Sequence, residues 1–142
     1  QQAPAPLPYL RTESDWALDV DLEVWLSDTV VSRTNARGLY WTMPQQLAHA
    51  TSNGASVRTG DLMASGTISG AERGSEGSLI ELTWRGTRPL TLADGSSRAF
   101  LADGDTVTLR GWCGGDGPER PRIGFGECTG TIGPAPSRPQ ES

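Results

Sequence analysis

Between Trp16 and Leu26 the chain alternates strictly, with Trp16, Leu18, Val20, Leu22, Val24 and Leu26 on one side and Ala17, Asp19, Asp21, Glu23 and Trp25 on the other. Successive side chains of an extended chain point to opposite faces, so this pattern predicts a half-buried strand over residues 16–26. By the same alternation Trp16 belongs to the core. Asp19, Asp21 and Glu23 line the opposite face, where a charged row is most simply a solvated one. Three carboxylates so placed have the donor type that suits a hard cation such as Mg²⁺ or Ca²⁺, but the pattern already requires this face to be exposed, so the solvated row is preferred.

From Gly60 onward the text is strands and tight turns, at Asp61–Ser65, Ser78–Trp84, Leu90–Leu92, Arg98–Leu101, Thr106–Cys113 and Arg122–Ile132. Asp94-Gly95 and Asp103-Gly104 lie between apolar runs, where residues that tolerate positive φ allow hairpin turns. The 18 glycines suit a twisted, turn-rich sheet. One helix is expected, from Leu39 to about Thr51, stopping at Asn53-Gly54. Pro44 is harmless only in a first turn, so the helix begins near Thr42 or bends at Pro44. The fold class is therefore mainly β with one helix, α+β, without repeats and without an internal domain boundary.

A chain of 142 residues forms one domain that buries roughly two-thirds of its unfolded surface. Its first residue is Gln1 and its first eight are rich in Pro and Ala, so it is expected to be part of a longer chain. Residues 1–15 read as linker-like, 16–132 as the folded unit and 133–142 as a disordered, Pro/Ser-rich tail. Twelve Lys+Arg against 17 Asp+Glu give a net charge of −5 with no basic cluster, which argues against nucleic acid as a partner. No apolar run approaches the ~20 residues of a membrane helix. Cys113 and Cys128 lack the number and spacing of a disulfide framework or zinc site, so two ordinary thiols and a reducing, cytoplasmic setting are expected.

Three further groups carry possible chemistry. His49, the only histidine, sits late on the expected helix, where its cation would meet the helix dipole favourably; a surface or packing role is preferred to catalysis. Gly60 to Gly70 runs from an apolar stretch into small hydroxyl residues separated by glycines. Such a loop lets a ligand approach the backbone, with Ser65, Thr67 and Ser69 able to donate to a carboxylate, although an ordinary glycine-rich turn has the same composition. Glu81 stands among Leu79, Ile80, Leu82, Thr83 and Trp84. If one face of that segment is covered, Glu81 is simply on the outer side; if both are, its carboxylate needs a partner.

Taken together, Pro6-Leu-Pro-Tyr-Leu10, Tyr40-Trp-Thr-Met43 with Gln45-Gln-Leu47, Gly60-Asp-Leu-Met-Ala-Ser-Gly-Thr-Ile-Ser-Gly70, Glu81-Leu-Thr-Trp84 and Gly124-Phe-Gly126 with Cys128 resemble the fumarylacetoacetate hydrolase family. They occur in the family's order and span nearly the whole chain to about Pro134. Related decarboxylases, isomerases and acylpyruvate hydrolases usually carry proline after the motif threonine. Here Ile68 and Ser69 follow Thr67, which favours the branch that hydrolyses fumarylacetoacetate itself, as does Asp103-Gly-Asp105 running to Gly-Trp-Cys113.

The resemblance implies the C-terminal half of a β-roll or sandwich catalytic domain. It also implies hydrolysis of a carbon–carbon bond of a β-diketo acid, 4-fumarylacetoacetate, to fumarate and acetoacetate, the last step of tyrosine and phenylalanine breakdown. By resemblance Glu81 is the catalytic glutamate of a His–Glu pair that activates water, and Thr67 binds the substrate's carboxylate. The Mg²⁺ or Ca²⁺ ligands and the catalytic histidine lie upstream of the matched region, so no metal ligand is assigned in this chain and the piece alone is expected to be inactive. A homodimer is implied for the longer parent only. The alternatives are another enzyme of the superfamily acting on a different oxo-acid, and a non-catalytic β-rich binding module built on the tryptophans.

Overall fold

The alternating segment forms β1, Asp21–Leu26, and Ser27-Asp28 turn it directly into β2, Thr29–Asn35. The computed structural model describes residues 2–12, 16–115 and 117–136. After β2 come helix α1, Met43–Thr51, a four-residue helix α2, Leu79–Leu82, the short strands β3, Leu90–Thr91, and β4, Ser97–Arg98, and the long strands β5, Thr106–Cys113, and β6, Ile123–Thr131. The four longer strands make one antiparallel sheet in the order β2-β1-β5-β6, and β3 pairs with β4. The expected class, mainly β with one principal helix, is the observed one. No helix among the described residues is long and apolar enough to cross a membrane.

The sheet has two unlike faces. On one, Glu23 meets Arg33 on β2 and Arg110 on β5, Arg110 pairs with Glu127 on β6, and Thr108 sits opposite Thr129. Trp25 shares this polar face and lies under the Arg110 guanidinium, 4.9 Å from ring centroid to charge, an arrangement that shields the ring while its N–H donates to Glu23. The other face carries Leu22, Val24 and Leu26 from β1 beside Val107 and Leu109 from β5. Leu26 is buried to 1% exposure, and Val20, Leu82 and Leu92 are also in the core.

The first strand is shorter than its alternation. Residues 16–20 have no ladder, because both neighbours end opposite Asp21, β2 at Asn35 and β5 within a residue of Trp112. Trp16 accordingly lies 47% exposed and is not a core residue. The strand β2 was not foreseen. Its turn has Ser27 at φ 50 instead of a glycine, so the usual hairpin signal is missing. The helix starts where the proline permits. Thr42 is the N-cap, Pro44 sits in the first turn, and a reciprocal capping box joins the Thr42 hydroxyl and backbone to Gln45.

Two expected strands are absent. Residues 61–65 form no element and are exposed, and the Ser78–Trp84 stretch is helix and turn instead of strand. Ser78-x-x-Glu81 is a helix-start pattern, and the turn after it requires left-handed backbone at Trp84 (φ 51), Arg85 (φ 57) and Gly86 (φ 82), which no strand tolerates. Asp94-Gly95 does form the β3–β4 hairpin turn, with Gly95 at φ 81. Asp103-Gly104 makes a turn, but a connecting one: Gly104 N–H donates to Ile132 beyond the end of β6. Of the expected tail, residues 137–142 lie outside the described residues.

Candidate functional site

The glycine-rich loop and α2 meet at one carboxylate. Glu81 occupies the third position of α2, where the helix N-terminus favours negative charge. Its Oε2 accepts from Ser69 Oγ at 2.9 Å and from Ser78 Oγ at 2.7 Å. Ser69 Oγ in turn accepts from the Gly77 N–H at 3.0 Å. The loop, the Gly77 turn and the helix are thereby tied to a single oxygen, and Oε1 accepts no hydrogen bond among the described residues. A pair of short hydrogen bonds donated in this way fixes a carboxylate's orientation, which a lone surface glutamate lacks.

Thr67 lies two residues before Ser69, in the same wall, with its side chain exposed. Its methyl rests against Gly77 so closely that a Cβ there would approach Thr67 Cγ2 to 2.6 Å and the Ile68 carbonyl oxygen to 2.5 Å. Only glycine fits at Gly77, and the contact holds Thr67 in place. Gly66, at φ 79, supplies the left-handed step just before it. Ser65 does not join the cluster; its hydroxyl donates to the Gly66 carbonyl.

Behind Glu81 the turn is anchored by Thr83, which is fully buried. Thr83 Oγ1 donates to the Leu79 carbonyl at 2.7 Å and accepts from Gly86 N–H at 3.0 Å. Two consecutive non-glycine residues in the left-handed region, Trp84 and Arg85, follow at once. Such backbone costs of order 1–3 kcal/mol per residue and persists only where its surroundings hold it. Trp84 is 59% exposed, and Arg88 stacks on its ring at 4.7 Å. Glu76, Ile80, Glu81, Trp84 and Arg85 line an open depression beside the cluster.

The remaining candidates lie elsewhere. His49 Nδ1 is 3.0 Å from the Tyr9 hydroxyl, the rings stack at 6.4 Å, and the pair borders an apolar groove between α1 and the N-terminal segment. Asp19 accepts from Asn35 and pairs with Arg37 and Arg120; the Asn35 hydrogen bond, with help from the two arginines, holds its carboxyl below the ordinary value. Asp21 accepts from the same Asn35 amide at 2.9 Å. Burial pushes the Glu23 carboxyl up, but hydrogen bonds from Arg33 and Trp25 outweigh it and hold it low. Each of the three is thus already matched by protein donors. Among the described residues no three His, Cys, Asp or Glu side chains converge as a metal site. Cys113 and Cys128 are free thiols.

Sequence reasoning named Thr67, Ser69 and Glu81 but missed Ser78, Gly77 and Thr83. The Ser-x-x-Glu spacing was the available signal for Ser78. Nothing local announces Gly77, whose constraint comes from a loop ten residues away in the chain.

A fold of this class with this motif defines a hydrolase family: the family model described as "Fumarylacetoacetate (FAA) hydrolase C-terminal" matches residues 5–133, and the chain belongs to that family. Among curated relatives, the Fumarylacetoacetase of Homo sapiens is 46% identical over 95% of this chain. That of Arabidopsis thaliana is 49% identical over 96%, and Fumarylacetoacetase fahA of Aspergillus fumigatus is 52% identical over 91%. The match covers 33%, 33% and 30% of those proteins, so the chain spans about a third of their length.

Proposed function

We propose that this chain is the C-terminal part of the catalytic domain, residues 16–132, of an enzyme that hydrolyses the carbon–carbon bond of 4-fumarylacetoacetate. The observation that carries the reading is the Glu81 carboxylate clamped through Oε2 by Ser69 and Ser78. Oε1 then accepts the N–H of an imidazole supplied by the rest of the enzyme, fixes its tautomer, and stabilises the imidazolium formed as water is deprotonated. Thr67, held against Gly77 on the same wall, donates its hydroxyl to the substrate's terminal carboxylate. Water adds to the carbonyl carbon, the adjacent carbon–carbon bond breaks, and the departing carbanion takes up a proton, giving fumarate and acetoacetate.

The family resemblance calls for Mg²⁺ or Ca²⁺, which would polarise the diketone. The carboxylates present here do not fit that role, since Asp19 and Glu23 are ion-paired and Asp21 is hydrogen-bonded to Asn35. The ligands are assigned to the part of the enzyme outside this chain. A cytoplasmic homodimer working in tyrosine and phenylalanine breakdown completes the proposal. A non-catalytic aromatic binding module is disfavoured, because Trp25, Trp84 and Trp112 are each covered by an arginine and form no common platform.

The test is a chimera in which residues 5–133 replace the matched third of the Homo sapiens relative. Turnover of fumarylacetoacetate with release of fumarate is expected. A folded chimera without turnover contradicts the proposal.

A further inference from the structure

Of the tetrapeptide Glu81-Leu82-Thr83-Trp84 the proposed chemistry uses only the first residue, yet the other polar one is the more deeply buried. Thr83 is 0% exposed, and its hydroxyl donates to the Leu79 carbonyl at 2.7 Å and accepts from the Gly86 N–H at 3.0 Å. Burying a hydroxyl is unfavourable unless it is hydrogen-bonded, and valine would fill the same space without that cost. The hydroxyl is therefore explained by the two backbone groups it joins, one inside α2 and one beyond the turn that follows.

The short helix needs such support. Four residues are far below the length at which a helix persists unaided, and the N-cap residue Ser78 makes no cap bond, its hydroxyl donating to Glu81 instead. The C-terminal end carries the load. There the Arg85 N–H donates to the Ile80 carbonyl and the Arg88 N–H to the Thr83 carbonyl, both at 2.8 Å, in a reversal that sets Trp84 and Arg85 at φ 51 and φ 57. Left-handed backbone at two consecutive non-glycine residues persists only where its surroundings over-determine it. Thr83 holds the turn from inside. Thr87 holds it from outside, its hydroxyl donating to the Trp84 carbonyl at 2.7 Å, and Gly86 is pressed against Phe100, whose Cε2 would lie 2.9 Å from a Cβ there. The Trp84 N–H donates to the Glu81 carbonyl at 3.1 Å, so the turn is bonded directly to the main chain of Glu81.

We infer that Thr83 is a positioning residue for Glu81. Its hydroxyl locks the left-handed turn, the turn fixes the main chain at Glu81, and with Oε2 held by Ser69 and Ser78 this sets where Oε1 points. The inference rests on the proposed role of Glu81. Ser69 and Ser78 clamp one oxygen, whereas Thr83 sets the backbone from which that clamp is reached.

The experiment measures kcat and KM of the chimera carrying Thr83→Val, Thr83→Ser, Glu81→Gln, or Thr83→Val with Glu81→Gln, at a temperature where circular dichroism shows each to be folded. Thr83→Val strands the Gly86 N–H and releases the turn. A displacement of about 1 Å at Glu81 is enough to lower kcat about 10- to 100-fold, with KM within about threefold because Thr67 stands on another loop. Thr83→Ser keeps the hydroxyl and should bring kcat back to within about threefold of the parent's. Once the carboxylate is gone Thr83 has no charge left to position, so the double variant should be slower than Glu81→Gln alone by no more than about threefold. Gln45→Leu, which unties a buried network on α1, should lower Tm without lowering kcat, and so separates position from stability. Should Thr83→Val not fold, Thr87→Val removes the outer tie at an exposed residue and should lower kcat about 3- to 10-fold, again only while Glu81 is present. A Thr83→Val kcat within about threefold of the parent's beside a slow Glu81→Gln overturns the inference alone. So does a loss that serine does not restore, a loss that multiplies with that of Glu81→Gln, or an equal loss in Gln45→Leu. If Glu81→Gln itself leaves kcat within about threefold, the reading of Glu81 fails first and the inference falls with it.

Discussion

Replacing Gln45 by leucine should weaken the chain severely although no apolar contact is lost. Gln45 is 2% exposed and its side-chain amide makes five hydrogen bonds, one of them accepted from the Thr42 hydroxyl at 3.3 Å. Its Oε1 accepts from the Thr42 N–H and from Gln2 Nε2, each at 3.0 Å, and its Nε2 donates to Gln2 Oε1 and the Leu10 carbonyl, each at 2.8 Å. Leucine of similar volume strands two backbone groups, the Thr42 N–H and the Leu10 carbonyl, and Leu10 itself is buried. Each of these two groups costs about 1–3 kcal/mol when left without its partner, the Thr42 N–H being also half of the capping box. The better burial of an apolar side chain returns about 1–2 kcal/mol. The net loss is about 1–4 kcal/mol, which lowers Tm by roughly 3–12 °C in a chain of this size. Thermal unfolding followed by circular dichroism, with urea midpoints as a second measure, reads it directly. Gln45→Glu keeps the acceptor for Thr42 but loses the donor to Leu10, so it should fall between. A Gln45→Leu variant melting within about 2 °C of its parent would refute the reasoning.

Three further outcomes follow from the same geometry. Asp105 is buried; Arg98 Nε donates to both its oxygens and the Ala102 N–H to one, and these bonds hold its carboxyl below the ordinary value. A carboxyl depressed in the folded state stabilises above its unfolded value, about 3.9, and loses that contribution as pH falls through the folded one. Tm measured from pH 6 to pH 2 should therefore drop less steeply in Asp105→Asn than in the parent, and parallel curves would contradict this. In the chimera, Thr67→Val should raise KM about 10- to 100-fold with a smaller change in kcat, because a hydrogen bond to a remote carboxylate serves ground and transition states alike. Ser69→Ala combined with Ser78→Ala should lower kcat about 10- to 100-fold by releasing Glu81 Oε2, with KM little changed.

How far the residues announce the fold differs by element. The strands β5 and β6 and helix α1 lie close to their expected limits, because apolar runs bounded by glycine turns and the Thr42-Pro44 start are local signals. Residues 16–20 carry the alternation of a strand but lack partner strands, and pairing is a property of the sheet and not of the segment. The stretch around Glu81 misleads for the opposite reason. Its apolar composition suits a strand, while the buried Thr83 and the left-handed turn at Trp84 and Arg85 impose a helix. Glu81 and Thr67 were accessible through motif resemblance. Their connection through Ser69 was not, since it depends on two loops meeting in space.

The most direct test of the central claim is the Glu81→Gln substitution in the chimera, with metal and substrate saturating. Gln keeps the shape and can still accept from Ser69 and Ser78, but it lacks the charge that steadies an imidazolium. The account predicts a kcat lower by about 10²- to 10⁴-fold, some 3–5 kcal/mol of barrier, with Tm changed by no more than about 2 °C. A kcat within about threefold of the parent's would reduce Glu81 to an ordinary helix-start carboxylate and contradict its place in the site.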